Sequence, residues 1–199
     1  MAKHQQQGRR LISMNRRSFT SAICAATILT TLLPVAFAQN KTAEQPIVTI
    51  IGDIENSNRP AFDEFLDAYL NFKEVSFDKA FQLTLRDLQA LPQKTIIAHA
   101  ESWPSSVRLE GPSLEHVLEQ AGATGKPVTV IALDGYSVTL SARDITSSDW
   151  ILAWKANDKP LSIGGRGPVW VIHSSAGKQA SSDIEARWVW SVFVIKAGN

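Results

Sequence analysis

Cysteine is almost absent from this sequence, since Cys24 is the only one among 199 residues. A single cysteine allows no internal disulfide, and residues 39–199 hold no thiol that binds a metal ion. The folded protein must therefore be stabilised by a hydrophobic core. Residues 39–199, about 160 in number, are enough for one domain of ordinary size.

Motifs of common catalytic and nucleotide-binding sites are missing as well. Beyond residue 38 the histidines are His99, His116 and His173, and no two of them have the spacing of zinc ligands. There is no Gly-x-Ser-x-Gly nucleophile elbow. The glycine-rich residues 164–168 precede a predicted strand and lack the motifs of phosphate and dinucleotide loops. We therefore predict no metal held by protein side chains and no catalytic residues.

Long hydrophobic runs are absent except near the N-terminus. Residues 1–17 are polar and basic, residues 18–37 are mostly apolar, and Ala36-Phe37-Ala38 has the small-x-small pattern of a cleavage site. The apolar run is short, contains Pro34 and is followed by a polar segment. This pattern predicts a signal peptide rather than a membrane anchor.

A pair of arginines marks the predicted signal peptide. Asn15-Arg16-Arg17-Ser18-Phe19 resembles a twin-arginine export signal, with Asn15 where Ser or Thr is usual. An ordinary secretory signal with chance arginines is the alternative. We predict a signal peptide over residues 1–38, a linker over 39–46 and a single domain over 47–199, exported to the periplasm of a Gram-negative bacterium.

Positive charge is scarce in the predicted mature chain. Cleavage after Ala38 removes five of the 20 Lys and Arg residues and none of the 19 Asp and Glu residues, which leaves a net charge of −4. Affinity for nucleic acid depends on concentrated Lys and Arg. A mildly acidic chain without a basic cluster is therefore not expected to bind nucleic acid.

Short apolar and β-branched runs predict many strands and few helices. The predicted strands are residues 47–52, 77–83, 95–99, 107–110, 128–133, 136–140, 150–156, 169–173 and 188–196. The predicted helices are residues 61–72, 85–91 and 114–121, with a further turn or helix beginning at 142. This order predicts an α+β fold built around mixed sheets.

Local signals mark where several elements begin and end. Thr84 and Asp87 have the spacing for reciprocal capping of a helix start, and Ser113 is a suitable N-cap for the helix after it. Gly122 is expected to end that helix. Asp134-Gly135 lies between two β-rich runs and predicts a hairpin in which both turn residues take positive φ.

Polar and aromatic residues are concentrated between residues 99 and 112. His99, Glu101 and Trp103 lie within five residues, directly after a predicted strand. An indole face stacks on flat heterocycles, and a nearby carboxylate accepts hydrogen bonds from ring N–H groups. We therefore predict that this stretch forms one wall of a ligand pocket, with Arg166 approaching a planar or anionic ligand.

Several blocks, in this order and spacing, resemble the molybdopterin-binding domain of the sulfite oxidase superfamily over about residues 47–197. The blocks are Asp87-Leu88-Gln89-Ala90-Leu91-Pro92, Trp103, Leu109-Glu110-Gly111-Pro112-Ser113-Leu114, Val117-Leu118, Ala132-Leu133-Asp134-Gly135-Tyr136, Ile151-Leu152-Ala153, Lys159-Pro160-Leu161, Gly167-Pro168 and Trp188-Val189-Trp190. The resemblance implies an α+β fold with mixed sheets, a barrel-like layer and a few short helices.

The resemblance also shows what the chain lacks. Enzymes of the superfamily bind molybdenum through a cysteine that follows the strand corresponding to residues 95–98. Alignment on Glu101, Trp103 and Gly111 places His99 at that position. Imidazole is a poor replacement for the soft thiolate ligand. A bound molybdenum cofactor and an enzymatic activity are therefore not expected.

The chain is more similar to a non-catalytic branch, the PruR-like group of small exported pterin-binding proteins. That similarity implies a periplasmic sensor that binds a tetrahydropterin-like ligand without molybdenum. It would act on the periplasmic domain of a membrane diguanylate cyclase or phosphodiesterase, which makes or degrades cyclic di-GMP. The predicted pterin-binding residues are His99, Glu101, Ser102, Trp103, Asp134, Tyr136, Arg166 and Gly167.

Three functions remain open from the sequence. The first is the pterin-binding sensor, with the helix at residues 61–72 as a candidate partner surface. The second is a molybdenum-cofactor-dependent oxidoreductase with an atypical ligand, and folded export by a twin-arginine signal would suit it. The third is an interaction domain that keeps the fold without a ligand.

Overall fold

Eleven strands and five helices lie within residues 44–198, the part of the chain that the computed structural model describes. The strands are β1 (Pro46–Gly52), β2 (Ala80–Thr84), β3 (Gln93–Ala98), β4 (Val107–Pro112), β5 (Val128–Ala132), β6 (Ser137–Leu140), β7 (Trp150–Ala153), β8 (Lys155–Ala156), β9 (Lys159–Pro160), β10 (Trp170–His173) and β11 (Val192–Ala197). The helices are α1 (Ala68–Phe72), α2 (Leu85–Ala90), α3 (Leu114–Gln120), α4 (Ala142–Ser147) and α5 (Ser182–Glu185). The predicted signal peptide and residues 39–43 of the predicted linker lie outside the described residues. None of the helices between residues 44 and 198 has both the length and the apolar character of a membrane span.

The largest sheet has five strands in the order β2-β1-β11-β5-β6. Strands β1 and β11 are parallel, and the other neighbours are antiparallel. Val48, Ile50 and Ile195 are at most 1% exposed, as expected for apolar side chains that alternate along a strand. Because β11 lies beside β5, the segment that precedes β11 is held next to the β5–β6 connection, where the Leu133 N–H donates to the Ser191 carbonyl at 2.9 Å.

Two smaller sheets complete the core. One has four strands in the order β3-β4-β8-β9, and the other pairs β10 with β7. The predicted α+β fold with mixed sheets and few short helices is confirmed. Open sheets take the place of the expected barrel-like layer, since none of the three sheets closes on itself within the described residues.

Helices α2 and α3 begin with the side-chain caps that their sequences predict. The Thr84 hydroxyl accepts from the Asp87 N–H at the start of α2, and the Asp87 carboxylate accepts from the Thr84 N–H in return. Ser113 caps α3 in the predicted way. Gly122 follows α3 with a φ of 67°, the conformation expected of a helix-ending glycine.

The predicted helix over residues 61–72 is much shorter in the structure. Only Ala68–Phe72 is helical, and the Asp63 carboxylate accepts from the N–H groups of Phe65 and Leu66 in the turn before it. A side-chain acceptor that competes for local N–H groups favours a turn over a regular helix. Apolar spacing alone therefore overestimated the length of this helix.

The last strand and the hairpin also differ from their predictions. The strand predicted from Trp188 begins at Val192, so Trp188 and Trp190 lie in the segment before it. Between β5 and β6, only Gly135 of the two turn residues has a positive φ. The Ala132 N–H donates to the Tyr136 carbonyl at 2.8 Å. The connection is therefore a longer loop than the predicted two-residue turn.

Candidate functional site

The residues after β3 are attached to the loop that precedes α5. The Ala180 N–H donates to the His99 carbonyl at 2.7 Å, and the His99 N–H donates to the Ser175 hydroxyl at 3.1 Å. Ala100 and Ala180 form an isolated parallel bridge. These backbone contacts hold the predicted pocket wall beside α5.

Glu185, the last residue of α5, connects two of the predicted site residues. The Ser102 hydroxyl donates to its two carboxylate oxygens at 3.0 and 3.1 Å. The Trp103 indole Nε1–H donates to the same carboxylate at 3.1 Å, across 82 residues of sequence. Glu185 was not predicted, because no helix or strand was predicted between residues 174 and 187. The Ser182-x-x-Glu185 spacing, typical of a helix start, was the available signal.

Glu185 also lines a cavity of about 350 Å³. This volume lies at the lower end of the range of small-molecule sites, about 300–1,000 Å³. Asp134 and Tyr136, both predicted site residues, line the same cavity together with Trp188 and Trp190. The structure therefore brings two carboxylates, a phenol and two indoles around one small cavity.

The β5–β6 connection is attached directly to the opposite wall of this cavity. The Tyr136 hydroxyl donates to the carbonyl of Ala186, which follows Glu185 in the chain. The Asp134 carboxylate accepts from the Tyr136 N–H at 2.9 Å. The position of the Tyr136 ring is thus set at both ends, and with it one side of the cavity.

Arg166 covers a cluster of tryptophans next to the cavity. Its guanidinium carbon lies 4.7 Å from the ring centroid of Trp170, 5.4 Å from that of Trp103 and 6.0 Å from that of Trp190. The Trp103 ring in turn packs against Trp170 and Trp188, with centroids 5.5 and 5.4 Å apart. A guanidinium over an indole is a cation–π contact. Arg166 therefore shares a site with Trp103, and it lies over the ring that was predicted to stack on a ligand.

Two indole donors in this cluster have no hydrogen-bond partner among the described residues. They are the Nε1–H groups of Trp170 and Trp188, both buried. Buried polar groups in folded proteins are nearly always paired. Because these two nitrogens are not accessible to solvent, they belong to the packed interior of the cluster and are not available to a ligand in this structure.

The other predicted site residues do not line the cavity. His99 is half-buried, and Glu101 is exposed. Gly167 is buried, and a Cβ atom at this position would lie 2.5 Å from the Leu161 carbonyl carbon. A side chain there would collide with backbone, so the packing of the loop requires glycine.

His173 was given no role by its sequence context, yet it extends the aromatic cluster. Its ring centroid lies 4.5 Å from that of Trp150 and 5.7 Å from that of Trp188. Nδ1 lies 2.8 Å from the Ser174 carbonyl, which only accepts, so this nitrogen carries the proton. Burial is the largest cause that lowers the pKa of His173, and the positive charge of Arg187 adds to it. His173 is therefore neutral near pH 7.

Acidification is expected to destabilise the protein through His173. The unfolded chain takes up a proton near the ordinary pKa of 6.5, whereas the folded chain resists protonation until a lower pH. Stability therefore falls as the pH drops through 6.5. Urea unfolding at pH 7.5 and 5.5 should show a smaller acid loss for His173→Gln than for the unchanged protein. An identical loss in both would contradict this assignment. The carboxyls of Asp67 and Asp144 also have a lowered pKa, but they change the stability of the fold only near and below pH 3.8.

The open mixed sheets and the cavity beside the segment after β3 define a domain of the sulfite oxidase type. The model of the oxidoreductase molybdopterin binding domain matches residues 70–180, more than half of the chain. The chain therefore belongs to the oxidoreductase molybdopterin-binding domain family. No curated protein matches the sequence significantly.

A solved structure has a similar fold. The sulfane dehydrogenase SoxCD from Paracoccus pantotrophus matches with a TM-score of 0.50 and 16% sequence identity. The match covers 76% of this chain and 37% of that chain, so this chain spans little more than a third of the SoxCD chain. Identity at this level supports a shared fold only.

The side chains present do not fit a molybdenum centre held by a thiolate. Residues 44–198 contain no cysteine, and His99 lies at the position predicted for the ligating residue. Within the same residues, no group of three or more potential ligands among His, Cys, Asp and Glu is placed to hold a metal ion. The cavity is lined instead by two carboxylates, a phenol and two indoles.

Proposed function

We propose that this protein is a non-catalytic periplasmic sensor that binds a reduced pterin and regulates a membrane enzyme of cyclic di-GMP turnover. The observation that carries the proposal is the Glu185 carboxylate, which lines the cavity of about 350 Å³ and is oriented by Ser102 and Trp103. The family binds molybdopterin, which is itself a pterin. A pterin site without the metal's thiolate is the simplest function consistent with both facts.

The chemistry of the cavity suits a pterin ring. A pterin offers its N2 amino group and N3–H as adjacent donors, and a carboxylate accepts such a pair of hydrogen bonds. Glu185 is the best placed acceptor, with Asp134 as a second carboxylate on the cavity wall. Trp190, 45% exposed, offers an indole face at the same cavity. Aromatic faces bind flat rings well, because both partners bury apolar area.

Trp103 and Arg166 support this site from the side. The Trp103 indole holds the Glu185 carboxylate, and Arg166 lies over the Trp103 ring. The Trp103 ring itself does not line the cavity, so in this proposal Trp103 positions Glu185 and the pterin stacks on Trp190. Arg166 follows Gly164 and Gly165 in an exposed loop, where its guanidinium is available to an anionic side chain of the ligand.

Regulation requires that the bound and free forms differ in affinity for the partner. The partner we propose is the periplasmic domain of a membrane diguanylate cyclase or phosphodiesterase. Support for this location comes from the predicted signal peptide over residues 1–38, and support for the partner comes from the similarity to the PruR-like group.

The test is to purify the exported protein from periplasm and to measure what it carries. Metal analysis by mass spectrometry determines molybdenum, and fluorescence after acid oxidation determines pterin. We expect about one pterin per chain and no stoichiometric molybdenum. Stoichiometric molybdenum would overturn the proposal in favour of the oxidoreductase, and the absence of both would favour a ligand-free interaction domain.

A further inference from the structure

An exposed apolar surface lies on the segment around α1. Phe65 is 87% exposed, Leu66 is 79% exposed and Phe72 is 77% exposed. Large apolar side chains that cluster at the surface often mark a binding surface. We call these three residues, together with the half-exposed Tyr69, the α1 patch.

The segment that carries the α1 patch is fixed to the five-stranded sheet through its buried side. Leu70 packs in a second hydrophobic cluster with Ile51 and Val194 of the five-stranded sheet. Arg59 donates to both oxygens of the Asp67 carboxylate at 2.8 and 2.7 Å, and these side chains are 13% and 9% exposed. The segment therefore presents its apolar side chains from a fixed backbone, which lowers the entropy cost of binding.

The charges around the α1 patch favour a cationic partner. Asp63, Glu64 and Glu74 are exposed, and Lys73 lies over the Tyr69 and Phe72 rings. The acidic residues outnumber the basic one, so the local charge is negative. A surface of this kind attracts a protein segment that combines apolar side chains with Lys and Arg. It repels the anionic surface of a membrane.

The α1 patch is connected to the ligand cavity. The Tyr69 hydroxyl donates to the Leu133 carbonyl, in the connection that carries Asp134 and Tyr136. The Tyr69 ring also packs against Phe193 of β11, with centroids 5.4 Å apart. A ligand that moves the cavity wall therefore acts on the residue that holds the patch.

We infer that the α1 patch docks an amphipathic, basic segment of a protein partner and that Tyr69 transmits ligand binding to it. This inference rests on the proposed function for the identity of the ligand. The docking surface itself depends only on the exposure, charge and rigidity of the segment.

The docking arm of the test uses a synthetic amphipathic helix of Leu and Lys, labelled for fluorescence anisotropy. The double variant Phe65→Ser, Leu66→Ser should weaken its binding at least about tenfold, a loss equivalent to removing about 1.4 kcal/mol. Ile163→Ser, at a residue 73% exposed elsewhere on the surface, is the matched control and should bind normally. Added salt should weaken the binding, because the acidic rim contributes to it.

Three results of this arm would overturn the docking surface. One is equal binding of a Leu/Glu helix of the same length. Another is binding of the Leu/Lys helix that the double variant leaves unchanged. The third is a different occupant of the α1 patch. A second copy of the chain would appear as a dimer in sedimentation that the double variant dissociates, and a membrane would appear as binding to anionic phospholipid vesicles that the double variant abolishes.

The coupling arm measures peptide affinity with and without saturating tetrahydrobiopterin as the probe. Binding free energies are coupled reciprocally, so a ligand that acts through Tyr69 must change the peptide affinity. We expect a change in the unchanged protein and none in Tyr69→Phe, which keeps the ring and removes the hydroxyl. If the pterin binds without changing the peptide affinity, the coupling is wrong and the pterin site stands. If no pterin binds, the coupling and the proposed function are both wrong. Peptide binding alone then decides whether the docking surface is correct.

Discussion

Glu185→Gln should lower the affinity for a reduced pterin by a factor of about ten to a hundred. Hydrogen bonds to a charged group contribute about 1.5–3 kcal/mol each, and every 1.4 kcal/mol is tenfold in affinity. Glutamine keeps the size of the side chain but removes the charge, and its amide nitrogen cannot accept from the ring donors. Fluorescence titration with tetrahydrobiopterin measures the effect.

A matched control separates Glu185 from Glu101, one of the two carboxylates among the site residues predicted from the sequence. Glu101→Gln makes the same chemical change at an exposed position that does not line the cavity. We expect its pterin affinity to stay within about twofold of that of the unchanged protein, which corresponds to about 0.4 kcal/mol. If the pterin affinity fell strongly in Glu101→Gln and stayed normal in Glu185→Gln, the pterin would not bind in the cavity. Similar urea midpoints of both variants would show that folding is not the cause.

Gly111→Ala should destabilise the fold by about 3 kcal/mol or more, at or above the upper end of the usual cost of overpacking. A Cβ atom at Gly111 would lie 2.1 Å from the Leu152 carbonyl oxygen and 2.7 Å from the Ala153 Cα. Both obstacles are backbone atoms of β7, and Leu152 and Ala153 are fully buried. The strands β4 and β7 must therefore separate to admit a single methyl group. Urea unfolding measures the loss.

Gly165→Ala is the matched control for this substitution. The nearest atom to its added Cβ is the Ser162 carbonyl oxygen at 3.4 Å, an ordinary contact, and its φ is not positive. Its stability should change by less than about 0.5 kcal/mol, as surface substitutions usually do. Equal unfolding midpoints for the two variants would show that β4 and β7 are less tightly packed than the structure indicates.

The two predictions test separate properties of the protein: the affinity for a ligand and the packing of the fold. Gly111 belongs to the packing that makes the fold possible, and it lies in the most characteristic block of the resemblance. In the proposed function Glu185 recognises the ligand, and it lies in a short helix that joins the segment after β3 to the cavity. We propose that a domain with the Gly111 packing and with His99 in place of a thiolate binds a pterin ring without holding a metal by sulfur.

The sequence by itself determined the elements whose signals are local. The caps at Thr84 and Ser113 and the glycine after α3 depend on residues within three or four positions of one another. The strands followed from short apolar and β-branched runs, because such side chains pack well in buried sheets. The missing thiol was also visible directly, since it is a matter of composition.

Only the tertiary structure decided how the site is assembled. Glu185 reaches Trp103 across 82 residues, and no local pattern specifies such a pairing. The exposure of Phe65 and Leu66 was equally hidden, since apolar spacing predicts a stripe without saying whether anything covers it. Contacts between distant segments depend on how the sheets pack, and the energy of that packing is shared among all their residues. The sequence therefore determined the frame, and the packing of the sheets determined which side chains meet at the cavity.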